Sequence, residues 1–392
     1  MNLDFQGVTF RNNGKLKLLI LAGTRPEIIR LSAVIQKCRR YFDCILAHTG
    51  QNYDYTLNGI FFRDLGLDSP DVYLDTVGDN LGESVGNIIH ASYKLMSAIR
   101  PDALLVLGDT NSCLAAISAK RLHIPIFHME AGNRCMDECL PEETNRRIVD
   151  IISDVNMTYS EQARRNLLAC GLPPERTFVT GSPMAEVLRQ NLTAIENSHI
   201  LTRLGLTPKG YILLSAHREE NIDDEANFIA LFTAVNRLAE TYDKPILYAC
   251  HPRARKRLEA SGFVLDRRVM MHEPLGFHDY NHLQMNAFCV VSDSGTLPEE
   301  ASFYTSIGRP YPAVSIRTST ERPEAMEKAC FTLAGIRADS LLQAVATAVS
   351  MIENHDCGTP VPAYTDEDVS TKVLQIIQSY TAVVDRNVWR KF

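Results

Sequence analysis

Four stretches in the first half of the chain place acids and an arginine where an apolar run stops. Leu18-Leu19-Ile20-Leu21-Ala22 empties into Gly23-Thr24-Arg25-Pro26-Glu27. Leu104-Leu105-Val106-Leu107 leads into Gly108-Asp109-Thr110-Asn111, and Ile126-Phe127-His128-Met129 into Glu130-Ala131-Gly132-Asn133. An acidic cluster, Pro141-Glu142-Glu143-Thr144-Asn145-Arg146-Arg147, follows. If the runs are parallel strands, Arg25, Asp109 and Glu130 share one sheet edge and Glu142 is a loop away. Several carboxylates beside an arginine suit acid–base work, because like charges push each other's proton affinities apart. The plainer reading makes Asp109 a helix cap and Glu142 and Glu143 first-turn acids. Three acids gathered beside Arg25 weaken that reading.

The second half begins the same way. Tyr211-Ile212-Leu213-Leu214-Ser215 runs into Ala216-His217-Arg218-Glu219-Glu220-Asn221. Ligands of open α/β sheets bind at such carboxyl-terminal strand ends. Val290-Val291-Ser292-Asp293-Ser294-Gly295-Thr296-Leu297-Pro298-Glu299-Glu300 reads as strand, small-residue turn and helix start. Ser294 and Gly295 would offer a hydroxyl and backbone N–H groups to a phosphate. Glu299 or Glu300, one turn in, could accept the two hydroxyls of a ribose; an ordinary capped helix is the alternative. Arg322, after the next strand, could neutralise a diphosphate. His251 follows Cys250 at a further strand end and fits a ligand-facing loop. His48, His90, His123 and His128 show no partner and read as structural.

These turns need elements to hold them. Strands are predicted at 16–22, 44–48, 103–107, 124–128, 155–159 and 177–180, with helices at 26–40, 82–99, 112–121, 142–153 and 161–169. A second series has strands at 211–215, 245–250, 268–271, 288–292 and 313–316, with helices at 224–240, 253–260, 297–303 and 339–353. Strands apolar on both faces, alternating with amphipathic helices, predict parallel sheets covered on both sides. At 392 residues the chain suits two domains. These are 15–182, joined by a returning C-terminal segment, 366–392, and 183–365, with the join near Gly181-Ser182-Pro183. Residues 1–14, containing Asn2-Leu3-Asp4-Phe5-Gln6-Gly7, resemble a protease-site remnant and are expected to be disordered.

The net charge of −7 gives no reason to expect nucleic acid as a partner. No apolar run reaches membrane-spanning length and no secretory signal is visible, so a cytoplasmic protein away from membranes is expected. The ten cysteines read as reduced core thiols. Cys135 and Cys139 lack partners at zinc-site spacing, so no metal is expected. GxGxxG, GxxxxGK[ST] and GxSxG are absent, which removes the usual signals of nicotinamide binding, P-loop hydrolysis and the α/β-hydrolase triad.

Taken in order, Gly23-Thr24-Arg25-Pro26-Glu27, His48-Thr49-Gly50-Gln51, Gly108-Asp109-Thr110, Glu130-Ala131-Gly132, Pro141-Glu142-Glu143, His217-Arg218-Glu219-Glu220-Asn221, Ser292-Asp293-Ser294-Gly295 and Glu321-Arg322-Pro323-Glu324 resemble the non-hydrolysing UDP-N-acetylglucosamine 2-epimerase family. The wording of 25–32, 51–55 and 129–135 is most similar to the branch making UDP-N-acetyl-L-fucosamine for capsules and O-antigens, which inverts C2 of UDP-2-acetamido-2,6-dideoxy-L-talose. A UDP-N-acetylglucosamine/UDP-N-acetylmannosamine 2-epimerase is the alternative; a glycosyltransferase of the same fold and a UDP-sugar-binding regulator are more distant ones.

The resemblance implies two Rossmann-like domains in a glycosyltransferase-B arrangement with an inter-domain cleft. It also implies a homodimer, no metal or other cofactor, and elimination of UDP followed by re-addition through a 2-acetamidoglycal. By the same resemblance Asp109, Glu130 and Glu142 act on the C2 proton, and Arg25 and His217 hold the leaving diphosphate. Arg25, His217, Arg218, His251, Ser294, Gly295, Glu300 and Arg322 bind UDP. The sequence departs from the family pattern at Arg30 for lysine, Thr296 for glycine and Asp54 for glutamine. The last makes activation by UDP-N-acetylglucosamine doubtful.

Overall fold

Runs with no polar face belong in the middle of a sheet covered on both sides. Leu18, Leu19, Ile20, Leu21 and Ala22 are all fully buried, as are Leu104, Leu105 and Val106. The computed structural model describes residues 5, 7–50, 55–135, 140–250 and 252–391. The backbone divides into two units, Met1–Val187 with Asp366–Phe392, and Leu188–Thr365.

The first unit is built on a seven-stranded sheet: β1 (Lys17–Ala22), β2 (Asp43–His48), β3 (Val72–Tyr73), β4 (Ala103–Leu107), β5 (Ile126–Met129), β6 (Val155–Thr158) and β7 (Thr177–Val179). Their order is β3-β2-β1-β4-β5-β6-β7, and every pair is parallel. The chain winds outward from β1 to β3, then crosses back to β4 and winds the other way. The carboxyl ends of β1 and β4 therefore flank the reversal, where a doubly wound sheet opens a crevice.

The second unit repeats this plan with β8 (Ile212–Ser215), β9 (Ile246–Ala249), β10 (Val269–His272), β11 (Cys289–Ser292), β12 (Ala313–Ser315) and β13 (Thr332–Leu333). The order β10-β9-β8-β11-β12-β13 is again all parallel and puts the reversal between β8 and β11. Both units are Rossmann-like, and the α/β expectation holds. Sequence periodicity misses β3 and β13, whose two residues are too few to show a pattern. It also misses the helices Tyr55–Asp64, interrupted by Gly59, and Phe277–Asn286, whose His, Asp and Asn residues blur the apolar stripe.

Residues 5 and 7–14 correct the expectation of a disordered start. Phe5 and Phe10 are 8% and 4% exposed and join a core cluster with Leu19, Leu21, Ile45, Ile88 and Leu95. The Asn12 backbone N–H donates to Asp43 Oδ2 at 2.8 Å. Two aromatic side chains supply enough apolar area to offset the entropy of ordering a short segment.

The returning helix, Val369–Asn387, packs along the helix Arg25–Tyr41. Buried Glu186 accepts from the backbone N–H of Ser370 at 2.8 Å and from its hydroxyl. Beyond that helix Trp389 stacks on His123 with ring centres 4.5 Å apart. Every described cysteine is free; Cys170 and Cys357 are exposed, which differs from core packing, and Cys139 lies outside the described residues. Among the described residues no helix is long and apolar enough to cross a membrane.

If the Phe10 ring is part of the core, Phe10→Ala lowers the stability of the first unit by about 3 kcal/mol. Denaturant melts monitored by far-ultraviolet circular dichroism measure this. An unchanged midpoint would mean the packed segment contributes nothing.

Candidate functional site: two strand-end clusters

In the first unit the acids that end the strands are each held by an arginine. Glu130 follows β5 directly and has φ 63°, a left-handed conformation that side-chain-bearing residues seldom adopt. It is 8% exposed. Arg30, on the helix Arg25–Tyr41, donates to its Oε2. Asn133 Nδ2 lies 3.4 Å from Oε1 and the Tyr159 hydroxyl 3.5 Å from Oε2. Asp109, half-buried after β4, accepts from Arg146 through Nε at 3.1 Å and through Nη2. Both donors converge on one oxygen, Oδ2, in a charge-assisted contact. Arg146 Nη1 reaches Glu143 Oε2 at 2.5 Å. Asn145 Nδ2 donates to the Asp109 carbonyl and to Asn111 Oδ1, each at 3.0 Å. Glu142 is half-buried in the first turn of the helix Pro141–Ile152. It lies four residues before Arg146 and so shares its face.

Two buried groups tie these turns together. His128, in β5, bonds through Nε2 to the Gly108 carbonyl at 2.8 Å, and its Nδ1 is 3.2 Å from Asp150 Oδ1. Asp150 is fully buried and also accepts from the Gly132 N–H at 3.1 Å and Arg134 Nη1 at 2.7 Å. Burial opposes a charge on His128, but the Asp150 carboxylate outweighs it and raises the ring's pKa above its ordinary value. His128 therefore pins the residue before Asp109, and Asp150 pins the turn after Glu130. The sequence shows no partner for His128, because Asp150 lies 22 positions away inside a helix.

Glu27 does the same between β1 and β4. It accepts from the Gly23 N–H at 3.0 Å, the Thr24 hydroxyl at 2.8 Å and the Ser112 hydroxyl. Burial pushes its pKa up against those hydrogen bonds. Arg25 is half-buried, with its guanidinium 5.5 Å from the centre of the Phe61 ring.

In the second unit the turns after β8 and β11 are joined by Asp293. This residue is fully buried. Its Oδ2 accepts from the backbone N–H groups of His217 and Arg218, both at 2.9 Å, and from Asn221 Nδ2 at 3.3 Å. Its Oδ1 is 2.8 Å from His217 Nδ1. Burial works against its ionisation, yet His217 and the two backbone donors hold its pKa down at about 2. Arg218 Nε donates to the Asp293 carbonyl at 3.1 Å.

Ser294 opens the turn that leads into the helix Leu297–Ser306, and its hydroxyl is 2.9 Å from that of Thr296. Thr296 in turn donates to Glu300 Oε1 at 2.9 Å, while Gln284 donates to Oε2 at 2.6 Å. Thr296 thus links this turn to Glu300. At Gly295 an added Cβ would lie 3.0 Å from Glu321 Oε1, so a larger residue would press on that side chain.

Arg322 is 1% exposed, donates to buried Glu299 at 2.7 Å and stands 6.0 Å over the Tyr364 ring. His251, Gln51 and Asp54 lie outside the described residues. Among the described residues no group of three or more His, Cys, Asp or Glu could hold a metal ion.

The family described as UDP-N-acetylglucosamine 2-epimerase matches residues 36–378. The structure is similar to that of UDP-N-acetylglucosamine 2-epimerase from Rickettsia bellii, with a TM-score of 0.89, 44% identity and coverage of 96% of this chain and all of that one. It is similar to the Methanocaldococcus jannaschii UDP-GlcNAc 2-epimerase in complex with UDP-GlcNAc and UDP, with a TM-score of 0.85, 30% identity and coverage of 93% and 100%. The UDP-2,3-diacetamido-2,3-dideoxy-D-glucuronate 2-epimerase of Pseudomonas aeruginosa is 31% identical over 338 residues, 85% of this chain and 92% of that protein.

Two outcomes test the rail behind the acids. Gly132 has φ 83°, and a Cβ there would come within 2.3 Å of the Ala163 carbonyl oxygen. Gly132→Ala should destabilise the first unit by more than about 2 kcal/mol in denaturant melts. The His128 pKa is higher folded than unfolded, where it is about 6.5. Its stabilisation is therefore complete below that pH and is lost as pH rises through the folded value. Melting temperatures measured from pH 6 to 9 should fall less steeply in His128→Gln; identical slopes would show that the ring binds no extra proton on folding.

Proposed function

The chain belongs to the UDP-N-acetylglucosamine 2-epimerase family, and we propose that it inverts C2 of a UDP-2-acetamido sugar by eliminating UDP and adding it back. It is an isomerase. The observation that supports the mechanism is the strand-end cluster of the first unit. Asp109 and Glu130 end adjacent strands, each gripped by an arginine, and Glu142 shares a helix face with the Arg146 that grips Asp109.

The C2 proton is not next to a carbonyl and is very weakly acidic. Removing it requires the C1–O bond to cleave, which leaves positive charge on the sugar ring and a glycal once the proton is gone. Fixed carboxylates stabilise that charge where it develops. Returning the proton to the opposite face needs an acid there, so one base is not enough. Asp109, Glu130 and Glu142 are the groups we assign to these tasks, with Arg30 and Arg146 fixing the first two.

The second unit would hold the UDP moiety. His217, Arg218, Ser294 and Gly295 meet the diphosphate and Glu300 the ribose. Arg25 from the first unit is a further donor to the leaving group. Arg322, which donates to Glu299, is a further candidate for the diphosphate.

For the sugar, the wording of 25–32, 51–55 and 129–135 favours UDP-2-acetamido-2,6-dideoxy-L-talose, giving UDP-N-acetyl-L-fucosamine. The names of the relatives favour UDP-N-acetylglucosamine as a second reading. Assaying both UDP-sugars in deuterated water separates them: the true substrate exchanges its C2 proton for deuterium. Recovery of unlabelled sugar from both would remove the mechanism. Asp109→Asn, Glu130→Gln and Glu142→Gln should each lower kcat about 100-fold or more. Calorimetric UDP affinity should stay within about threefold of the parent's, since each change is well under 1.4 kcal/mol of UDP binding.

A further inference from the structure

We infer that Asp293 is a positioning residue of the UDP site, fixing the His217 ring with its Nδ1 edge inward so that Nε2 is presented to an anionic oxygen of the diphosphate. The inference rests on the reading of the second unit as the UDP-holding unit and adds to it the group that makes His217 competent.

Asp293 Oδ1 stands 2.8 Å from His217 Nδ1, and a carboxylate can only accept there. A hydrogen on Nδ1 suits this contact, because without it two lone pairs would face each other. Asp293 is fully buried, whereas the His217 side chain is 45% exposed. One edge of the ring is consequently anchored in the protein and the other meets solvent. The same carboxylate fixes the backbone that carries the ring, through the N–H groups of His217 and Arg218 at 2.9 Å. Arg218 Nε binds the Asp293 carbonyl at 3.1 Å, so backbone and side chain of Asp293 together place both cations of the turn. Next in sequence is Ser294, whose hydroxyl faces the start of the helix Leu297–Ser306. One buried acid thus joins the two strand ends that flank the β8–β11 reversal.

The neighbouring ionisable groups do not compete for this task. Tyr248 donates its hydroxyl to the Ala216 carbonyl at 2.9 Å. Tyr280, near Ser215 and Ser292, is kept neutral by burial, and the charges of Glu300 and Asp293 add to that effect. An acid held at about 2 stays a carboxylate throughout the working range. A histidine anchored in this way can give a hydrogen bond through Nε2 when protonated there, with the paired carboxylate offsetting the ring charge.

A double-mutant cycle on UDP binding tests this, read by titration calorimetry on the full chain. If the parent does not bind UDP, it is the functional reading that fails. If it does, His217→Gln should weaken UDP about tenfold, the size of one lost charge-assisted hydrogen bond. Asp293→Asn should weaken it severalfold. The double variant should bind no worse than His217→Gln alone, because Asp293 acts through the ring. Losses that multiply would overturn the inference.

A measurement on the parent avoids reliance on a buried-site variant. Long-range ¹H–¹⁵N spectra of the ring, assigned by the signals missing from His217→Gln, should show a protonated Nδ1. A bare Nδ1 would overturn the inference equally.

Discussion

The constraint on which the rest depends is a carboxylate buried behind the strand ends of each unit. Taking an acid out of water costs several kcal/mol unless charges and hydrogen-bond donors replace the lost hydration. Asp150 and Asp293 are both fully buried, and each meets a histidine ring nitrogen and at least one backbone N–H. The donors are those of the turns that follow the strands. Satisfying the buried acid and shaping the functional turn are therefore the same event. A turn that relaxed would leave a charge unpaired, so its alternatives are costly. That cost is what holds Glu130 in a left-handed conformation that a side chain otherwise avoids.

The two units use one scaffold for opposite electrostatic ends. In the first, acids and arginines pair at the strand ends: Asp109 is the more exposed member of its pair with Arg146, whereas Glu130 is buried with Arg30 beside it. In the second, the buried member is the acid, and the exposed or half-buried members are His217 and Arg218. Parallel strands ending at a reversal of order supply the same edge in both cases. Which charge faces outward is decided by a few residues in each turn. That is why a shared fold says little about chemistry until the turns are read.

Much of this was legible in the sequence where the signal is local. Leu18 to Ala22 and Tyr211 to Leu214 announce buried runs, and the structure buries both. What escaped is long-range or indirect. His128 and Asp150 are joined only by the packing of a helix against a strand, and no spacing rule links positions 22 apart. Asp293 stood in the right motif, but its neighbours Ser294 and Gly295 drew the reading toward phosphate contacts. Its task shows only when β8 and β11 are side by side. The pairing of Arg322 with Glu299 and its place over the Tyr364 ring are likewise invisible in the sequence, since the partners lie 23 and 42 positions away. The packing of Phe5 and Phe10 is masked by the segment's resemblance to a remnant, although two aromatic residues in ten are a packing signal of their own.

The proposed chemistry sets one further electrostatic requirement. A cluster of carboxylates stabilises a cationic sugar ring, but it also repels the diphosphate that must leave and return. Two unit charges 4 Å apart interact by about 4 kcal/mol at an effective dielectric constant near 20, so three unpaired acids would raise the barrier for re-addition as effectively as they lower it for cleavage. The arginines resolve this conflict. Arg146 engages Asp109 and Glu143 together, and Arg30 engages Glu130, so the local charge is far smaller than a count of acids suggests. In the proposed mechanism the paired acids act at short range on one proton or one ring carbon, while the longer-range field of the cluster is reduced. An arginine at position 30 is not equivalent to the lysine of the family pattern, because a planar guanidinium meets Glu130 in a fixed geometry where an ammonium would act as a point charge.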